Sequence, residues 1–183
     1  YKKNKTPLMV HENFRWQSPL LKLKEVIKKE KLIKPHYAKI SFRHANPVGY
    51  TNQTYLYDLN EYLTLDVGIH LFDLSRFFMG EALSIYTVNQ NTNPKFKGET
   101  DFISIIRNVN KSITIVDASI SSIKQPDRFA QTLINLEFSN GSIDLDYNYK
   151  ITLHKNKKKK IYDGSPKKYK WISKPWDQIQ ESV

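Results

Sequence analysis

Asp66-Val67-Gly68-Ile69-His70-Leu71-Phe72-Asp73-Leu74-Ser75-Arg76-Phe77-Phe78-Met79-Gly80 is the stretch on which the reading of this chain turns. At about 100° per residue, Asp66, His70, Asp73 and Phe77 fall within one narrow arc of a helix, with Val67, Leu71, Leu74 and Phe78 on another side and Phe72 and Met79 on a third. The spacing predicts a mostly apolar helix that carries a thin stripe of carboxylate and imidazole and ends at Gly80, a residue tolerant of left-handed geometry. Such a helix is buried, and a buried carboxylate needs a partner, so the stripe faces either another element or a cavity. Three readings of it stay open. Asp66 or Asp73 can accept a proton from the ring of His70 in a satisfied core cluster. The same carboxylates can orient the ring and set it for proton transfer. A metal site is the third reading, but no further His or Cys spacing completes a ligand set, and no metal is expected.

Outward from this helix, the chain before it is mixed and the chain after it is strand-like. Leu8-Met9-Val10 reads as a short strand. Ser18-Pro19 opens an amphipathic helix to about Glu30, with serine as cap and proline in the first position. His36 to His44 alternates as a strand. Ala45 to Leu59 is a loop of amides and tyrosines that includes Asn46 and Gln53, and loops of that length in a domain are often functional. After Gly80, Leu83 to Asn89, Asp101 to Asn108, Ser112 to Ser121, Gln131 to Phe138 and Ser142 to Tyr149 are strand-like, with turns at Asn93-Pro94, Asn108-Val109-Asn110 and Asn140-Gly141. The expected class is α+β: a largely antiparallel open sheet with helices packed on one face. The other face still carries Ile, Val, Leu and Tyr and is available for oligomerisation, so a homo-dimer or homo-tetramer is expected.

The chain has 183 residues, 39% of them apolar, enough for one core. It begins at Tyr1 and stops in an uncapped helix-like pattern at Gln178 to Val183, so a fragment of a longer protein is expected. There is no membrane-spanning run and no signal pattern, which predicts a soluble protein. The absence of cysteine excludes a disulfide framework and suits the cytoplasm. A net charge of +11 invites a nucleic-acid reading. The excess is carried by lysine, however, whereas specific phosphate and base recognition favours arginine, so no specific nucleic-acid partner is expected. The run Lys155-Asn156-Lys157-Lys158-Lys159-Lys160 is most simply a solvated hairpin tip.

Several segments resemble the second domain of the glucose-fructose oxidoreductase and inositol dehydrogenase family (Gfo/Idh/MocA). They are Glu12-Asn13-Phe14-Arg15-Trp16, Arg43-His44-Ala45-Asn46-Pro47, Asp66 through Asp73, Gly98-Glu99 and Phe138-Ser139-Asn140-Gly141-Ser142. The resemblance implies a two-domain enzyme in which a Rossmann domain holds NAD or NADP and this domain, residues 1–183, contacts a sugar or polyol substrate. It implies His70 as the acid or base of hydroxyl proton transfer and Asp66 as the residue that binds substrate and orients that chemistry. It further implies Asp73 and Asn46 as substrate contacts, with Gln53 of the amide loop and Arg15 completing the expected set. The glycine fingerprint and the Glu-Lys-Pro segment of the family are absent and belong to a preceding domain, so the fragment alone is expected to be inactive. The rival expectation is a non-catalytic basic module that binds a partner protein or polyanion.

Overall fold

Branched and aromatic residues at every second position give a strand one apolar face, and strands of that kind pair until the face is covered. The computed structural model, which describes residues 12–44, 53–123 and 132–166, shows eight strands among those residues, all in one sheet. They are β1 (Pro35–Arg43), β2 (Ala82–Gln90), β3 (Asp101–Asn108), β4 (Ile113–Ser119), β5 (Leu133–Phe138), β6 (Gly141–Leu145), β7 (Lys150–Lys155) and β8 (Lys158–Asp163). Their order is β2-β3-β4-β1-β5-β6-β7-β8. Neighbours are antiparallel except for β1 and β4, which run parallel through the middle of the sheet. The α+β class with a largely antiparallel open sheet is therefore what the chain adopts. The expected strand at Leu8-Met9-Val10, Asn46 with most of its loop, and the terminal helix-like pattern lie outside the described residues.

Two helices, α1 (Ser18–Lys29) and α2 (Ile69–Met79), share one core cluster with the buried face of the sheet. Register makes that face continuous. Ala38, Ile40 and Phe42 of β1 align with Thr114, Val116 and Ala118 of β4, and Ala38 and Ile40 with Leu136 and Ile134 of β5. All are buried. The opposite face is open. Tyr86 pairs beside Ile105 and Val88 beside Ile103, and each of these four side chains is at least 50% exposed.

Helix α1 differs in one detail from its expected start. Pro19 lies in the first turn, but the capping position is Gln17 and Ser18 is already helical. Its far end is tied to the last hairpin, where the Glu30 carboxylate accepts bonds from Lys160 Nζ (3.0 Å) and the Tyr162 hydroxyl, and Lys155 Nζ donates to the Glu30 carbonyl. The lysine run is thus the β7–β8 hairpin, turning at Asn156 and Lys157. Both residues have positive φ, as a two-residue turn matched to strand twist requires. Gly80 ends α2 at φ +91°, a backbone region that a side chain strains to reach.

Candidate active site

Helix α2 does not begin as a regular helix. A π turn, Thr64–Gly68, leads into it, so Asp66 sits in a widened turn and His70 in the first α turn behind it. π turns of this kind are frequent at functional sites.

His70 is held from two sides by a segment far from it in sequence. Its Nδ1 lies 2.7 Å from Glu12 Oε1, and its ring stacks on Phe14 with centroids 4.1 Å apart and planes 4° from parallel. The side chains of His70 and Glu12 are each 19% exposed. The same Glu12 oxygen accepts the Phe14 amide at 3.2 Å. Burial pushes the Glu12 carboxyl up, but the hydrogen bond and charge interaction with His70, the Phe14 amide and Arg15 outweigh it. The group is held below its ordinary 4.5.

A single turn of 3-10 helix, Phe14–Trp16, brings these groups together, closed by Trp16 N–H to the Asn13 carbonyl and Gln17 N–H to that of Phe14. The turn also aims Arg15 at Asp73. Arg15 Nε donates to Asp73 Oδ2 at 2.7 Å and a second guanidinium nitrogen donates to Oδ1. The Arg15 guanidinium lies 5.2 Å from the Phe77 ring centre. Residues 12–15 therefore lie along His70, Asp73 and Phe77, the arc seen in the sequence.

The structure thus gathers His70, Asp73 and Arg15, with Asp66 half-buried in the adjoining π turn. The carboxylate at the His70 ring is Glu12, not the helical Asp66 or Asp73 that spacing suggested, and Asp73 takes Arg15 instead. Gln53 is exposed, in the capping position before the 3-10 turn Thr54–Asp58, and its carbonyl accepts the Leu56 amide. Asn46 lies outside the described residues. Glu12 escaped the sequence reading as a site residue because no spacing rule joins positions 58 residues apart. Its only signal was membership of the Glu-Asn-Phe-Arg-Trp stretch. Among the described residues no group of three or more His, Asp or Glu side chains is arranged to hold a metal ion, and no helix is long and apolar enough to cross a membrane.

An imidazole with one nitrogen on a carboxylate is set in one tautomer: Nδ1 carries the proton toward Glu12, and Nε2 is left to accept or give one. The model of the GFO/IDH/MocA C-terminal domain matches residues 20–143. The chain belongs to the GFO/IDH/MocA family. This GFO/IDH/MocA domain is 35% identical over 177 residues to a D-apiose dehydrogenase of Rhizobium rhizogenes, an alignment covering 97% of the chain and 51% of that protein. It is 31% identical over 178 residues to a D-apiose dehydrogenase of Paraburkholderia graminis, covering 97% of the chain and 47% of that relative. A crystal structure of an oxidoreductase from Agrobacterium radiobacter, in complex with NAD+, L-tartaric acid and magnesium, superposes with a TM-score of 0.90 at 32% identity. The superposition covers 97% of this chain and 52% of that one. The chain spans about half the length of the relatives it matches.

Proposed function

We propose that this GFO/IDH/MocA domain is the substrate-binding half of an NAD(P)-dependent oxidoreductase that moves a hydride between a nicotinamide and a sugar or cyclitol hydroxyl. The observation that carries the reading is the His70 ring fixed by Glu12 and Phe14. Oxidation of a secondary alcohol releases a proton together with the hydride, so a base is needed at the hydroxyl oxygen. His70 Nε2 takes that proton, or returns it in the reverse direction. Glu12 stays ionised at neutral pH and stabilises the ring while it is charged. Asp66 binds a substrate hydroxyl, and Asp73, Arg15, Asn46 and Gln53 are further substrate contacts.

The dinucleotide fits this arrangement only in part. No Gly-x-Gly-x-x-Gly occurs in the chain, so its binding falls mainly to another domain, while the oriented imidazole suits the proton side of the reaction. When bound, the nicotinamide supplies the hydride acceptor or donor. The relatives named D-apiose dehydrogenase favour a small sugar with adjacent hydroxyls as substrate. Zero cysteine suits a reducing compartment, and we place the protein in the cytoplasm.

The test is reduced-nicotinamide absorbance with the full-length protein, NAD+ or NADP+, and a panel of D-apiose, other aldoses and cyclitols. Turnover is expected with at least one sugar. This chain alone is expected to give no turnover and no micromolar, saturable dinucleotide binding by calorimetry. A full-length protein inert to the whole panel overturns the reading.

Self-association of the full protein through the open sheet face is part of the same proposal. Tyr86, Val88, Ile103, Ile105 and Ile113 make an exposed apolar patch at the β2–β3–β4 side, and β2 carries no charged residue to discourage pairing. Ile105→Lys places a charge in the middle of that patch. Light scattering is expected to show a dimer or tetramer for the parent and a smaller species for the variant. An unchanged mass for the variant argues against this face.

A further inference from the structure

The turn that carries Asp66 starts without a cap of its own. Its capping position is Leu63, whose side chain cannot accept a hydrogen bond, and Gly68 before α2 offers none either. An uncapped helix start leaves backbone N–H groups without partners, which is costly where they are buried. Here three of them, from Tyr62, Leu63 and Thr64, end on a single residue, Glu99, from the connection between β2 and β3. Glu99 Oε2 accepts the Tyr62 N–H at 3.1 Å, Oε1 accepts the Thr64 N–H at 2.8 Å, and the Glu99 carbonyl accepts the Leu63 N–H at 3.2 Å.

The Glu99 carboxylate is buried. That burial pushes its pKa up, but hydrogen bonds from the Thr64 side chain and from backbone amides outweigh it and hold the group below its ordinary 4.5. A charged carboxylate at a helix start is also favoured by the helix dipole. The approach is close enough to need a glycine beside it. A Cβ on Gly98 would stand 2.8 Å from the Leu59 carbonyl oxygen and 2.8 Å from the Tyr62 nitrogen. Around this point Lys97 N–H donates to the Tyr57 carbonyl and the Phe96 ring stacks on Tyr62 with centroids 4.7 Å apart. Above the carboxylate, Leu65 and Asp66 both donate to the Tyr62 carbonyl as the turn opens.

We propose that Glu99 is a positioning residue that holds the π turn open and thereby sets where Asp66 stands relative to His70. The proposal rests on the reading of Asp66 and His70 as the substrate and proton-transfer groups. Glu99 touches neither. His70 has its own supports in Glu12 and Phe14, so loss of Glu99 shifts Asp66 more than it shifts the ring. The kinetic effect should then fall on substrate binding.

Glu99→Gln in the full-length protein is the direct test, because the amide keeps one acceptor for Thr64 but turns an N–H₂ toward the Tyr62 N–H. The expected result is a KM for sugar raised about tenfold to a hundredfold, a misplacement effect, with kcat changed less and dinucleotide Kd unchanged. Gly98→Ala, whose Cβ presses on the Tyr62 backbone nitrogen that Glu99 holds, should give the same split. Amide hydrogen exchange supplies a readout apart from activity: exchange at Tyr62, Thr64, Leu65 and Asp66 should accelerate in both variants. A lower melting temperature with KM unchanged per folded molecule overturns the proposal and leaves Glu99 a structural staple. If His70→Ala proves fully active, the functional reading fails instead, and the exchange data still decide whether Glu99 holds the turn.

Discussion

His70→Ala in the full-length protein is expected to lower the kcat of the proposed reaction by roughly a hundredfold to ten-thousandfold, the range for loss of a positioned general acid or base. Dinucleotide affinity and the folded state should survive. The ring lies at the surface of α2 with 19% of its side chain exposed, and its removal uncovers Phe14 rather than opening a sealed cavity. Glu12 keeps the Phe14 amide as a partner. A purely structural His70–Glu12 pair gives a different result. Its loss leaves a carboxylate short of a donor, costs about 1 to 3 kcal/mol of stability, and lowers activity only with the folded fraction. Thermal unfolding and steady-state kinetics on the same preparation separate the two. A variant that melts early yet turns over normally per folded molecule ends the catalytic assignment.

What the sequence made legible was local. The span of β3, Asp101–Asn108, could be read from its own residues, but its faces could not, because Ser104 is buried beside Phe102 and Ile106 while Ile103 and Ile105 are exposed. The Asp66–His70–Asp73 arc was legible, since spacing within one helix fixes which residues share a side. Contacts made across long separations were not. The parallel pairing of β1 with β4 joins Tyr37 to Ile113, and nothing in either strand names the other. Strand β2, expected at Leu83 to Asn89, lies at the sheet edge and is exposed along its whole length, which its residue types do not announce. The π turn depends on N–H groups that end on Glu99, outside any helical window. The same limit explains the ring partner. Spacing offered Asp66 and Asp73 as carboxylates for His70, but Arg15 claims Asp73, and Glu12 arrives from the other side of the chain on the turn that Arg15 anchors. A guanidinium fork binds a carboxylate in two bonds at once, which fixes the approach of that turn and hence of Glu12.

Glu12→Gln then tests the pair from the carboxylate side. The amide has nearly the same shape and can still accept the Nδ1 proton, so the ring keeps much of its orientation. What it lacks is the negative charge that, in the proposed reaction, stabilises the imidazolium formed when Nε2 takes the hydroxyl proton. The expected outcome is a kcat lower by about tenfold to a hundredfold, with KM for sugar nearly unchanged. That is the reverse of the split expected for Glu99→Gln, so the two carboxylates are distinguished by which constant moves. Acid stability offers a second measurement. The folded Glu12 carboxyl is held below its ordinary 4.5, so the stabilisation it gives is fully present above that pH and is lost as pH falls through the lower folded value. The gap in melting temperature between parent and Glu12→Gln should accordingly be full at neutral pH and close as the solution is taken well below 4.5. A gap that stays constant into strong acid, or a kcat equal to that of the parent, shows that Glu12 does not act on His70 through its charge.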